Sequence, residues 1–84
     1  MKKNLDTNGK TTYIAISDNY AIRIKAYSKP KAIIRAAIIF SQEIKNWNPQ
    51  HGGIVEKSNK KEVRQYLSEH KDITWFNGGA PVDG

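Results

Sequence analysis

The chain has no cysteine among its 84 residues. That excludes a disulfide framework, a cysteine-ligated zinc site and thiol catalysis. Long apolar runs are also missing. The longest, Ala36 to Phe40, is far short of a membrane span. Met1-Lys2-Lys3 has the basic start of a secretory leader, but Asn4, Asp6, Asn8 and Lys10 stand where an apolar stretch is required. The expectation is a cytoplasmic protein with no membrane partner. Histidine is scarce: His51 and His70 are the only two, with no cysteine and no i, i+4 spacing to support a metal. No metal and no cofactor is expected. Gly9-Lys10-Thr11 looks like the end of a phosphate-binding loop, but Asn4 occupies the position of its first glycine. No serine has a base placed beside it by local pattern, and Glu62 and Glu69 are accounted for as a helix cap and a solvated helix face. The expectation is a protein without enzymatic activity.

Acidic groups are few in the first half. Residues 1–42 hold Lys2, Lys3, Lys10, Arg23, Lys25, Lys29, Lys31 and Arg35 against only Asp6 and Asp18, whereas residues 43–84 hold six cations and six anions. The net charge of +6 therefore belongs to the N-terminal half. A lopsided positive field attracts polyanions or acidic protein surfaces, and it also serves as a solubilising surface.

With 38% hydrophobic and 26% charged residues, the chain is suited to one small domain. The expected division is a flexible N-terminal arm over 1–10, a single α+β domain over 11–77 and a flexible tail over 78–84. Thr12 to Ser17 and Tyr20 to Tyr27 alternate with period two, predicting a hairpin. Keeping the isoleucines together pairs Ile16 with Ile22 and Ile14 with Ile24, which needs a three-residue loop, Asp18-Asn19-Tyr20, with Asn19 left-handed. A two-residue loop would set Arg23 on the apolar face. Ser28 caps a helix from about Pro30 to Asn46, with Ile33, Ala37, Phe40, Ile44 and Trp47 as its apolar stripe and Ile39 outside it. Asn48-Pro49 stops it, and Gln50-His51-Gly52-Gly53 forms a loop. Ile54 to Lys57 is a short strand. Asn59 and Glu62 fit a capping box ahead of a second helix carrying Val63, Tyr66, Leu67 and His70; the rival reading makes 62–67 a strand. Ile73 to Phe76 is the last strand, and one of Trp75 and Phe76 is expected to face outward.

The predicted class is α+β: a small single-layer mixed or antiparallel sheet with helices on one face, in the order β-β-α-β-α-β, or β-β-α-β-β on the rival reading. One core is expected from Ile14, Ile16, Ile22, Ile24, Ile33, Ala37, Phe40, Ile44, Leu67 and one of the two late aromatics. The other sheet face would show Tyr13, Arg23, Lys25 and Tyr27 to solvent. Aromatic rings stack on bases and cations hold phosphates, so these four form a candidate nucleic-acid platform; ordinary cross-strand packing explains them equally. Lys29, Lys31 and Arg35 border them, and the seven together are the candidate binding residues.

Over Tyr13-Ile14-Ala15, the hairpin, and Ala26-Tyr27-Ser28-Lys29-Pro30-Lys31-Ala32-Ile33-Ile34-Arg35-Ala36-Ala37, the chain resembles the small phage-encoded anti-CRISPR proteins. The resemblance spans about residues 12–58 and is one of size and architecture. It implies a non-enzymatic, phage- or mobile-element-derived inhibitor. Such a protein binds a bacterial nucleoprotein defence complex in the host cytoplasm and blocks nucleic-acid loading or cleavage. The expected partner is a host protein or nucleoprotein complex, and the expected state is monomer or homodimer. The alternative is a free-standing RNA- or DNA-binding module working through the basic, tyrosine-bearing sheet face.

Overall fold

The computed structural model describes residues 9–49 and 53–84. The arm over residues 1–8 and the loop residues 50–52, His51 included, lie outside the described residues. The elements follow the order β1 (Thr11–Ser17), β2 (Tyr20–Ala26), α1 (Lys29–Glu43), β3 (Ile54–Lys57), α2 (Lys61–Glu69), β4 (Thr74–Trp75) and β5 (Val82–Asp83), with a 3-10 stretch at Phe76–Gly79. The fold is α+β with one mixed sheet, and residues 61–69 are helix rather than strand. Among the described residues no helix is long and apolar enough to cross a membrane.

The sheet runs β3-β1-β2-β4, and β5 also pairs with β2. β1 is antiparallel to β2 and β3; β4 and β5 lie parallel to β2. The segment 78–84 is thus no loose tail. Val82 sits beside Ile24 and Asp83 beside Lys25, and the Gly84 N–H donates to the Lys25 carbonyl at 2.8 Å.

The hairpin register departs from the three-residue loop. Ser17 pairs with Tyr20, Ile16 with Ala21 and Ile14 with Arg23 across a two-residue turn. Asp18, not Asn19, takes the positive φ, 53°. The expectation assumed one apolar face, and the sheet has two. Tyr13, Ala15, Ile22, Ile24 and Ala26 share one face and pack with Ala32, Ala36 and Phe40 of α1. Ile14, Ile16 and Ala21 share the other and pack with Val63 of α2. Alternate side chains of a strand point to opposite faces, so the two helices cover opposite sides of the sheet. With both faces covered, an arginine opposite Ile14 is no reason to shift the register.

Helix α1 begins as its sequence indicates. The Ser28 hydroxyl accepts from the Lys31 N–H at 3.4 Å, and Pro30 stands in the first turn. Its buried stripe is Ala32, Ala36 and Phe40, one residue removed from the expected Ile33 and Ala37. Small side chains let the helix lie close against β2 and leave Ile33, Ile34 and Ile38 on the outside. Helix α2 begins at Lys61 without the Asn59 capping box: Lys60 is its cap residue and makes no side-chain cap bond. His70 is exposed and stacks on Tyr66 at 3.8 Å between ring centroids.

Aromatic residues close the end of the α1 face. Tyr20 stacks on Phe76 at 5.3 Å, and Phe40 lies 5.9 Å from Phe76 and 5.7 Å from Trp47. Trp47 donates its indole N–H to the buried Ser17 hydroxyl at 2.9 Å. Trp75 and Phe76 both pack inward, one on each face, because the sheet has a layer on either side. Gly53 has φ 154°, and a Cβ there would meet the Ile16 carbonyl oxygen at 2.5 Å, so β3 can approach β1 only with glycine at its start.

Candidate binding surface

The seven candidate residues do not form one surface. Tyr13 is 5% exposed and lies beneath α1, so it is a core side chain and no anchor. Arg23 belongs to the α2 side of the sheet. Its guanidinium sits 4.2 Å from the Trp75 ring centroid and donates to the Gly79 carbonyl at 2.8 Å. It ties β2 to the 3-10 stretch and is committed to the fold. Lys29 bridges Glu56 of β3 at 2.9 Å, on the far side of the sheet from β5. The solvent-facing platform of Tyr13, Arg23, Lys25 and Tyr27 is therefore absent: the register sets Tyr13 on the α1 face, and Trp75 and the Gly79 carbonyl hold Arg23 on the other.

Lys25, Tyr27, Lys31 and Arg35 remain. The hinge of their arrangement is Asp83 on β5. Lys10, just before β1, pairs with its carboxylate. The Lys10 hydrogen bond, and then its charge, hold the Asp83 carboxyl below the ordinary carboxylate value against a smaller opposing effect of desolvation. The charges of Lys25 and Arg35 act in the same direction, which sets both within electrostatic reach of one carboxylate. Lys31 precedes Arg35 by one helical turn, and both are exposed. The Lys10 ammonium also lies 5.3 Å from the Tyr27 ring centroid, and Tyr27 is 58% exposed. Lys10 thus joins Asp83 and the exposed Tyr27 ring, with Lys25 and Arg35 within electrostatic reach of the same carboxylate.

Two members of this corner lay outside the sequence reading. Lys10 fell in the segment read as an arm, and Asp83 in the segment read as a tail. The two-residue strand Val82–Asp83 is too short for a period-two pattern, so its return to β2 had no local signal. Among the described residues no group of three His, Asp or Glu side chains is arranged to hold a metal ion. What the corner offers chemically is long-range attraction of an acidic partner, with one aromatic contact to orient it. No family model, curated protein or solved structure matches this chain.

Proposed function

We propose that this is a non-enzymatic binding protein that docks an acidic surface of a larger partner on the corner formed by Lys10, Lys25, Tyr27, Lys31 and Arg35. The single observation that carries the reading is the Lys10–Asp83 ion pair beside the exposed Tyr27 ring, at a carboxylate that also feels the charges of Lys25 and Arg35. A net charge of +6 speeds encounter with an acidic surface, and a tyrosine supplies contact area once the two meet. A protein surface suits the corner better than a nucleic-acid strand. Strand-binding sheets stack successive bases on an open face, and both faces of this sheet are covered. Combined with the resemblance to anti-CRISPR proteins, the reading is of an inhibitor that occupies a bacterial nucleoprotein defence complex in the cytoplasm and impedes nucleic-acid loading or cleavage.

The test is capture of partners from a bacterial lysate, with and without nuclease, using the natural chain and a Lys31→Glu/Arg35→Glu double variant. The expected result is a protein partner that survives nuclease and is lost with the double variant, with its association rate falling as salt rises. Loss of every partner to nuclease would assign the corner to nucleic acid instead. Undiminished capture by the double variant would leave the basic residues a solubilising role only.

A further inference from the structure

The outer side of α1 carries residue types that the fold itself does not use. The helix buries Ala32, Ala36 and Phe40 against the sheet. With about 3.6 residues per turn, Ile34 and Ile38 fall on the opposite side. They are 61% and 42% exposed, and their i, i+4 spacing makes them neighbours on one ridge. A single exposed isoleucine needs no explanation, whereas an adjacent pair is a short apolar strip. Lys31 and Arg35 are exposed on the same side and flank that strip. Exposed Tyr27 stands just before the Ser28 cap at the head of the helix. Arg35 is within electrostatic reach of Asp83, which joins the strip to the corner described above.

The positive charge is no more useful to the helix than the isoleucines are. The first turn holds Lys29 and Lys31 and no acidic residue, although the positive end of the helix dipole favours carboxylates there. Lys29 is answered by Glu56 of β3. The first acidic residue of α1 itself is Glu43, at its far end. Lys31 and the isoleucines thus have residue types that neither the dipole nor the core asks for.

Building on the acidic partner proposed above, we infer that Ile34 and Ile38 form the contact centre of that binding surface: they dock on an apolar patch of a partner protein, and carboxylates around that patch meet Lys31 and Arg35. Charge complementarity selects this occupant. Lys31, Arg35 and the positive end of the α1 dipole all call for acidic groups at the rim of the contact. A second copy of the chain is disfavoured by its geometry. A two-fold axis that sets Ile34 of one copy against Ile38 of the other also brings the two Arg35 side chains together on one flank. An anionic lipid surface would satisfy the cations, but two isoleucines offer far less apolar area than an interfacial helix inserts.

The two kinds of residue then have separate tasks. Apolar side chains attract only once the surfaces touch and water leaves, so the isoleucines govern how long the complex lasts. Charges act before contact, so Lys31 and Arg35 govern how fast it forms.

The test places the photo-crosslinking residue p-benzoylphenylalanine at Ser41 of the full chain, exposed and one turn beyond Ile38, so that the strip stays intact. Irradiation in a bacterial lysate and mass spectrometry identify the crosslinked protein and the segment joined. That protein, purified, is measured for association and dissociation rates against the natural chain, an Ile34→Ser/Ile38→Ser variant and a Lys31→Glu/Arg35→Glu variant. Serine and isoleucine have similar helix propensities, so the melting temperature should not change in the first variant. The crosslinked segment is expected to carry apolar residues among Asp and Glu. The serine variant should dissociate at least about tenfold faster with little change in association, and the charge variant should associate about tenfold more slowly at low salt. Absence of a crosslinked protein, or an unchanged dissociation rate in the serine variant, overturns the proposal. Crosslinks between two copies, matched by a dimer in sedimentation, overturn it in favour of self-association. Binding to phosphatidylglycerol vesicles that is lost in the serine variant overturns it in favour of a lipid surface. A charge variant that behaves as the natural chain defeats the acidic-partner reading and this proposal with it. A serine variant that does so, beside a slowed charge variant, defeats this proposal and leaves that reading standing.

Discussion

The two faces of the sheet are stabilised by different means. On the α1 face, eight buried residues form a continuous apolar cluster, and Tyr20, Phe40, Trp47 and Phe76 close it with ring contacts. On the α2 face only Ile14, Ile16, Ala21 and Val63 are buried among the described residues. The remainder of that face is finished by Arg23 lying on Trp75 and holding the Gly79 carbonyl. One face is closed by area removed from water, the other by a thin apolar patch and one oriented cation. The lesson is that a cation at an alternating position can be a structural clasp, and charge alone does not mark a working surface.

The largest expected effect follows from truncating the aromatic closure. Phe40→Ala removes the ring shared by Trp47 and Phe76 and should cost about 3–5 kcal/mol in chemical denaturation, most of the stability of so small a domain. A small loss there would mean that the α1 face is not the main core and would break the comparison. Arg23→Ala comes next, at about 2 kcal/mol from a charge-assisted hydrogen bond and its ring contact. Hydrogen exchange should quicken around Gly79 and β5 and stay slow in β1, where the α1 face is untouched. Uniformly faster exchange would show that the two faces unfold as one unit.

Smaller still is Ile34→Lys. Ile34 is 61% exposed on the outer side of α1, and the change should alter stability by no more than about 0.5 kcal/mol in a thermal melt. A larger loss would place this side of α1 against another surface. The smallest effect is that of acid. Asp83 and Glu56 both titrate below their ordinary values through Lys10 and Lys29 respectively. A carboxyl with a lowered folded-state value contributes stability that is complete above the ordinary carboxylate range and is lost as pH falls through the lowered value. Both pairs are solvent-exposed and clamp edges of the sheet, so acidification should quicken exchange at β3 and β5 before the cores respond. Simultaneous loss of signal from β1 would contradict that order.

Much of the fold was legible because its signals are local. Alternation in Thr12–Ser17 and Tyr20–Ala26, the Ser28 cap and the Val63, Tyr66, Leu67 spacing each depend on residues close in the chain. The register was not legible. Ile14 opposite Arg23 looks wrong until α2 is known to cover Ile14 and Trp75 is known to receive the arginine. The helix stripe erred by one residue for a related reason: Ile33 and Ala37 are as regularly spaced as Ala32 and Ala36, and only contact with β2 chooses between them. Of the candidate site, Tyr13 was drawn into the core and Arg23 into contact with Trp75 and Gly79, while Lys25 and Arg35 came within electrostatic reach of Asp83.

The sequence by itself determined the element order, the mixed class, the start of α1 and the concentration of positive charge in the first half, because periodicity, capping chemistry and charge are properties of neighbouring residues. Tertiary structure decided the rest: that two helices take opposite faces, that Val82–Asp83 returns to β2, that Lys10 meets Asp83, and that β3 is the outer strand beside β1 among the described residues. These depend on segments distant in the chain meeting in space. The register of one strand against another, and the face a helix settles on, are chosen by the sum of packing over both layers, which no single stretch of sequence contains.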